Sequence, residues 1–293
     1  MTERDRSAAS GGPARADGVG GAAGAGALRR LGRAALDRLR ILTGREPPDS
    51  RYARLHARAV RRSCARALRG RRDWLLAVAG PDDCPAFDER VVELPWVYGH
   101  LGRAGRLLDV GSTLNAAPHI RLLRSRFEEV TFLNPYRDDG FRSPAAGVAY
   151  VTRDARDPGL APGSFERITC ISTLEHVGCD NTRYGGPART GEAQDLARAR
   201  ADALRALRRL LAPGGTLLLT VPYGRLEDHG WFIQLDAGAL AEAVAAFAPA
   251  VAETAFFRFE GGWQPASAAQ CGDARYGDRT RGASAVACAA LGV

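Results

Sequence analysis

Lysine is absent: all 41 cationic side chains of the 293-residue chain are arginines. That excludes Schiff-base chemistry and the phosphate-binding lysine of a P-loop before any motif is sought. Cysteine is sparse, with Cys64, Cys84, Cys170, Cys179, Cys271 and Cys288 scattered and no C-x-x-C pair. Such spacing provides neither a disulfide framework nor a zinc site, and a reducing cytoplasm is the expected compartment. Long apolar runs are lacking too. Stretches such as 168–171 and 217–219 are strand-sized, far short of the roughly 20 residues that span a bilayer. At the N-terminus, Glu3, Arg4, Asp5 and Arg6 are followed by Gly and Ala rather than by the apolar centre of a signal peptide. A soluble protein without a transmembrane segment is expected.

Composition supplies the rest of the frame. A hydrophobic content of 45% with 25% charged residues rules out fibrous and wholly disordered chains and suffices for one large domain with an appendage. Charge is unevenly shared. Residues 1–80 hold 18 Arg against 7 acids, whereas the remaining 213 residues hold 23 Arg against 26 acids, so the basic balance belongs to the N-terminal quarter. Residues 1–26 are mostly Gly, Ala and Ser and cannot bury enough apolar surface to offset chain entropy, which predicts a disordered tail. Residues 27–80 read as an Arg-rich helical extension, with helices over 27–42 and 51–69 separated by Gly44 and Pro47-Pro48. On the second helix Leu55, Ala59, Val60, Cys64, Ala67 and Leu68 share one face. Arg51, Arg54, Arg58, Arg61, Arg62, Arg66 and Arg69 occupy the other. A solvated helix, a phosphate-bearing acceptor and an anionic surface all suit this row. Sequence-specific nucleic-acid binding does not, because interleaved aromatics and a reading-helix motif are missing.

From 81 to 293 strands and helices alternate. Strands are predicted at 106–110, 129–133, 148–152, 167–172, 216–221, 252–258 and 284–291, with helices at 118–127, 192–211 and 237–247. Leu196, Leu204, Leu207 and Leu211 share a face of the longest helix, Pro213-Gly214-Gly215 ends it, and Asp236 is the expected N-cap of the next. This alternation predicts an α/β fold, a doubly wound and mostly parallel sheet with its ligand across the carboxyl ends of the strands.

Three segments carry the chemistry. In Leu107-Leu108-Asp109-Val110-Gly111-Ser112-Thr113-Leu114-Asn115 a buried strand ends in an acid and a glycine, where a missing side chain lets a ligand approach the backbone. Downstream, in order, come Ile171-Ser172-Thr173-Leu174-Glu175-His176 and Pro213-Gly214-Gly215-Thr216-Leu217. At these residues the chain resembles the class I S-adenosylmethionine-dependent methyltransferases over roughly 93–291, closest to a branch with D-V-G-S-x-L-N and S-T-L-E-H-V-G-x-D-N motifs. The resemblance implies a Rossmann-like sheet of seven strands, the last antiparallel. It also implies an enzyme that moves the methyl group of S-adenosylmethionine to an oxygen or nitrogen of a small molecule such as a sugar, a glycan precursor or a secondary metabolite. Carried over by motif, Asp109, Gly111 and Ser112 line the methionine end of the cofactor, and Asn115 joins them from the same loop. Asp154 stands near the adenine amino group, while Ser172 and Thr173 close the fourth strand over the cofactor. Two departures mark this chain: Thr113 and Asn115 replace glycines, and Asn134 stands where a ribose-binding acid is usual, a neutral amide in place of a stronger acceptor.

His176 is a candidate general base, since an unperturbed imidazole titrates near pH 6.5. Glu175 is its rival, and His229, after Asp228, is a second acid-base candidate. Cys179-Asp180-Asn181 lacks a third ligand, so no metal is expected. The segment 177–191 reads as an active-site lid or as a disordered insertion. Trp231, Phe232, Trp263 and Tyr276 suit acceptor-pocket walls or core packing, and Glu93-Leu94-Pro95-Trp96 suits a helix packed over the pocket. The alternative to an enzyme is an inactive methyltransferase-fold scaffold that docks through its Arg-rich helices.

Overall fold

The computed structural model describes residues 48–71, 73–75, 86–103, 105–136, 147–186, 188–189 and 191–293. The expected tail over 1–26 and helix over 27–42 lie outside them. Tyr52–Val293 forms one compact unit, which holds the whole sheet.

Eight strands form that sheet: β1 (Arg106–Val110), β2 (Glu129–Asn134), β3 (Val148–Thr152), β4 (Phe165–Ile171), β5 (Leu211–Pro222), β8 (Val251–Phe259), β9 (Trp263–Ala266) and β10 (Ala285–Gly292). A separate two-stranded ribbon pairs β6 (Glu227–Asp228) with β7 (Ile233–Gln234). The order in the main sheet is β3-β2-β1-β4-β5-β10-β8-β9. Strands β1 to β5 are mutually parallel, and β10 runs antiparallel between β5 and β8. The doubly wound expectation holds with one strand more than the seven expected. Trp263-Gln264-Pro265-Ala266 folds back on β8 as a hairpin, and Pro265 is tolerated there because β9 is the edge.

Both faces of the sheet are covered, which is why the central strands are apolar almost throughout. Successive residues serve opposite faces. Leu107, Val130, Phe132 and Leu218 join one core with α1 (Pro48–Ala67), α2 (Arg90–His100) and α3 (Ala117–Arg124). Leu108, Val110, Cys170, Leu217 and Leu219 join the other with α4 (Ala193–Leu210) and α5 (Ala237–Phe247). Asp236 caps α5 by accepting from Ala239 N at 2.8 Å. Most boundaries shift by one to three residues, and the start of β5 moves by five. Pairing of β5 starts at Leu211, opposite Phe165, and residues 212–215 bulge outward before Thr216 resumes opposite Arg167. The Pro-Gly-Gly segment therefore interrupts a strand instead of separating it from the helix.

The apolar face of α1 is not an appendage. Ala59, Val60 and Cys64 are buried in the same core as Phe87, Trp96 and Val97, while Arg54, Arg58, Arg61, Arg62 and Arg69 are exposed. Among the described residues no helix is long and apolar enough to cross a membrane.

Candidate functional site

Winding reverses between β1 and β4, whose neighbours lie on opposite sides, and a crevice opens there at the carboxyl ends of the strands. It holds a cavity of about 340 Å³. Gly111 and Thr113 line it from the β1 loop, Asn134 and Tyr136 from the end of β2 and the turn after it, and Arg153 and Asp154 from the turn after β3. Ser172, Thr173 and His176 line it after β4, and Arg90 reaches it from α2.

Asp109 holds the β1 loop rather than facing the cavity. Its side chain is fully buried. Oδ1 accepts from Thr169 Oγ1 at 2.6 Å and Oδ2 from Leu114 N at 2.8 Å. Burial pushes its pKa up to about 7 against the pull of those two bonds. Gly111 has φ +87° and donates its N–H to Leu133 O at 2.8 Å. A Cβ built on it would fall 2.1 Å from Thr173 Oγ1. The close approach that this glycine allows is therefore made by Thr173 of the same chain, not left open for a ligand. Thr113 Oγ1 donates to Ile171 O at 3.0 Å, a second tie between the loops after β1 and β4.

Ser112 and Asn115, expected beside the cofactor, do not line the cavity. Ser112, at φ +54°, accepts from Asn134 Nδ2 at 2.8 Å, so it orients the residue that does. Asn115 Oδ1 accepts from Tyr150 OH at 2.7 Å. Asp154 faces the cavity while chelated by Arg156, whose N, Nε and Nη2 donate to it at 2.8, 2.9 and 2.8 Å. Against burial, which would raise it, these bonds hold the Asp154 carboxyl below its ordinary pKa.

Ser172, at φ +39°, donates to a carboxylate that the sequence reading placed only in a packing helix. Glu93, fully buried, accepts from Ser172 Oγ at 2.6 Å and Thr220 Oγ1 at 2.7 Å on Oε1, and from Arg90 Nη1 at 2.8 Å on Oε2. Arg90 and Glu93 are site residues the sequence reading missed, as are Tyr136 and Arg153 of the cavity lining. For Arg90 and Glu93 the available signal was a lone acid in the apolar run Val91-Val92-Glu93-Leu94-Pro95-Trp96-Val97, three residues after an arginine.

His176 lines the cavity with its tautomer fixed. Nδ1 lies 2.8 Å from Trp231 O, a carbonyl that can only accept, so Nδ1 carries the proton and Nε2 keeps its lone pair. Burial lowers its pKa to about 4, well below the value near 6.5 on which the general-base expectation rested. Glu175 is buried behind it, with Oε1 4.0 Å from His176 Nε2 and Oε2 unpartnered among the described residues. Burial raises its carboxyl well above the usual range. His229 is not part of the cavity: its ring stacks on Phe232 at 4.4 Å and borders a separate hollow with Glu227, Asp228 and Tyr276. Tyr184 and Asn181, from the segment expected to be a lid, do line the cavity. Asn181 braces that segment by donating from Nδ2 to His176 O at 3.1 Å and Cys179 O at 2.9 Å. Trp263, offered as a pocket wall, is buried and donates to Phe87 O at 2.9 Å, in the core below the sheet.

No family model matches the chain, and no curated protein matches it. Solved structures do align with it. The [4+2]-cyclase SpnF is 19% identical over 53% of this chain and 55% of its own, at a TM-score of 0.37. The 1,6-didemethyltoxoflavin-N1-methyltransferase of Burkholderia thailandensis is 14% identical over 68% of this chain and 75% of its own, at 0.42. The CurJ carbon methyltransferase is 15% identical over 69% of this chain and 53% of its own, at 0.41. This chain thus spans about half the length of the cyclase and of the CurJ protein. With every one of these TM-scores below 0.5, the functional reading of the site rests on its own side chains and topology.

Proposed function

We propose that the protein is a class I S-adenosylmethionine-dependent methyltransferase acting on an oxygen or nitrogen of a small molecule. One observation carries the reading. Four motif positions far apart in the chain, Gly111, Asn134, Asp154 and Thr173, line a single cavity at the switch point of the sheet, at the ends of β1, β2, β3 and β4.

The residues present suit an adenosyl group spread across those ends. Asp154 Oδ2 accepts a bond from Arg156 Nη2 and retains capacity for an adenine amino group. Asn134 Nδ2 is taken by Ser112, which leaves its carbonyl oxygen to accept from a ribose hydroxyl. Gly111 and Thr173 border the methionine end. Asp109 and Ser112 act one step behind, by holding the loop and Asn134.

The cofactor supplies an activated methyl group on a sulfonium, so the protein's task is chiefly alignment of an acceptor. His176 suits that task through the lone pair on Nε2, which accepts a hydrogen bond from an incoming hydroxyl or amine, and the proton released as the methyl group moves passes to solvent. Tyr136 and Tyr184, parallel within 2° at 6.2 Å, form an aromatic wall beside it. Calorimetric titration of S-adenosylhomocysteine into the protein and into Asp154→Ala, which removes a cavity-lining acceptor, tests the reading. Binding in the roughly micromolar range, clearly weakened in the variant, supports it. Absence of binding up to about millimolar removes it.

A further inference from the structure

We infer that α1 is a positioning element of the cavity, because Tyr52 and His56 grip the carboxylate of Asp88, which sets the helix start that carries Arg90 into the cavity wall. The inference rests on the reading of that cavity as a cofactor site.

Tyr52 and His56 lie one turn apart on α1, their rings stacked at 5.6 Å, with Phe87 edge-on to both. His56 Nε2 is 2.7 Å from Asp88 Oδ1, and Tyr52 OH donates to Asp88 Oδ2 at 3.1 Å. The same hydroxyl accepts from Asp88 N at 3.0 Å. Asp88 Oδ1 in turn accepts from Arg90 N at 3.2 Å, satisfying one of the unpaired donors at the start of α2. From the other side Glu89 Oε2 accepts from Ala283 N at 2.8 Å. Gly282 leaves room for that contact, since a Cβ there would stand 2.0 Å from Glu89 Oε2. The Arg281 guanidinium covers the Tyr52 ring at 4.5 Å.

The path continues into the site. Arg90 donates to Glu93, and Glu93 accepts from Ser172. Arg90 and Ser172 both line the cavity, whereas Tyr52, His56 and Asp88 do not. A helix cap alone needs one acceptor for one N–H. Here both oxygens of the capping carboxylate are also committed to a helix more than 30 residues upstream. Such commitment fixes where the first turn of α2 sits, and with it the Arg90–Glu93–Ser172 chain.

The test uses the full chain, with S-adenosylhomocysteine titrations, thermal unfolding and amide exchange on the wild type and four variants. His56→Ala and Asp88→Asn should weaken binding about tenfold, the scale of one lost hydrogen bond to a charged group. His56→Gln, whose amide N–H can reach Asp88, should recover most of the affinity. Arg62→Ala, on the exposed face of α1, should bind as wild type does. A merely structural contact would lower the melting temperature and leave the dissociation constant of the folded protein unchanged, and that result overturns the inference. Exchange provides an arm that needs no ligand: amides of 172–176 should exchange faster in His56→Ala and Asp88→Asn. Unchanged exchange there overturns the inference even if the wild type binds no cofactor, an outcome that by itself refutes only the methyltransferase reading. If Asp88→Asn does not fold, the two His56 variants still decide.

Discussion

Gly111→Ala should destabilise the protein before any ligand is considered. The glycine sits at φ +87°, where an alanine is disfavoured by about 1–2 kcal/mol. The new Cβ would also lie 2.1, 2.5 and 2.8 Å from Oγ1, Cγ2 and Cβ of Thr173, all inside the closest distance real Cβ atoms keep. Thr173 cannot simply swing aside, because its hydroxyl donates to Ile171 O at 3.0 Å and the loop is tied again by Thr113. Overpacking of this kind adds about 1–3 kcal/mol. The sum, about 2–5 kcal/mol, is a large part of the stability of a typical domain. With a urea slope of about 2–3 kcal/mol per M, the unfolding midpoint should fall by roughly 1–2 M. Thr173→Ala removes the two nearest atoms but keeps Cβ at 2.8 Å. In the double variant it should therefore recover part of the loss, with a coupling of about 1–2 kcal/mol. A Gly111→Ala midpoint equal to wild type, or additive effects within about 0.5 kcal/mol, would refute the packing argument.

Three further outcomes follow from the same geometry. Because the folded pKa of Asp109, about 7, lies above its unfolded value near 3.9, the native state binds the extra proton between those limits, so stability falls as pH rises through them. Asp109→Asn should flatten that fall in urea unfolding measured from pH 5 to 8, and an unaltered slope would contradict the assignment. Asn134→Asp should tighten S-adenosylhomocysteine by about three- to tenfold, since a charged acceptor binds a hydroxyl more strongly and Ser112 can donate to it; weaker binding would displace the ribose from the end of β2. His176 should stay neutral with its proton on Nδ1 down to about pH 5, as read by nitrogen chemical shifts, and a titration near 6.5 would restore it as a general base.

Local patterns were legible where burial is periodic. β1, β3 and α5 lie at the residues expected, since their apolar alternation and the Asp236 cap are written within a few neighbours. β9 escaped because four residues containing a proline resemble a turn, and the early start of β5 was hidden by Pro213-Gly214-Gly215. At the site, the motif named residues that converge but not what they touch. Asp109 spends its oxygens on Thr169, 60 residues away, and on Leu114. Glu93 meets Ser172 across 79 residues and Thr220 across 127. The Trp231 carbonyl that fixes the His176 tautomer is 55 residues on. No spacing rule encodes such partners; the sheet order does, by bringing the ends of β4 and β5 together beside α2. His229 shows the converse. It follows a strand in sequence, yet Phe232 lies between it and the cavity-lining ring of His176, at 4.4 and 5.9 Å between ring centres.

The most direct test of the central claim is a crystal structure with S-adenosylhomocysteine. The account predicts the adenine amino group within hydrogen-bonding distance of Asp154, a ribose hydroxyl donating to the Asn134 carbonyl oxygen, and the homocysteine end beside Gly111 and Thr173. Ligand bound elsewhere, or in the cavity with adenine at the His176 end, would contradict it.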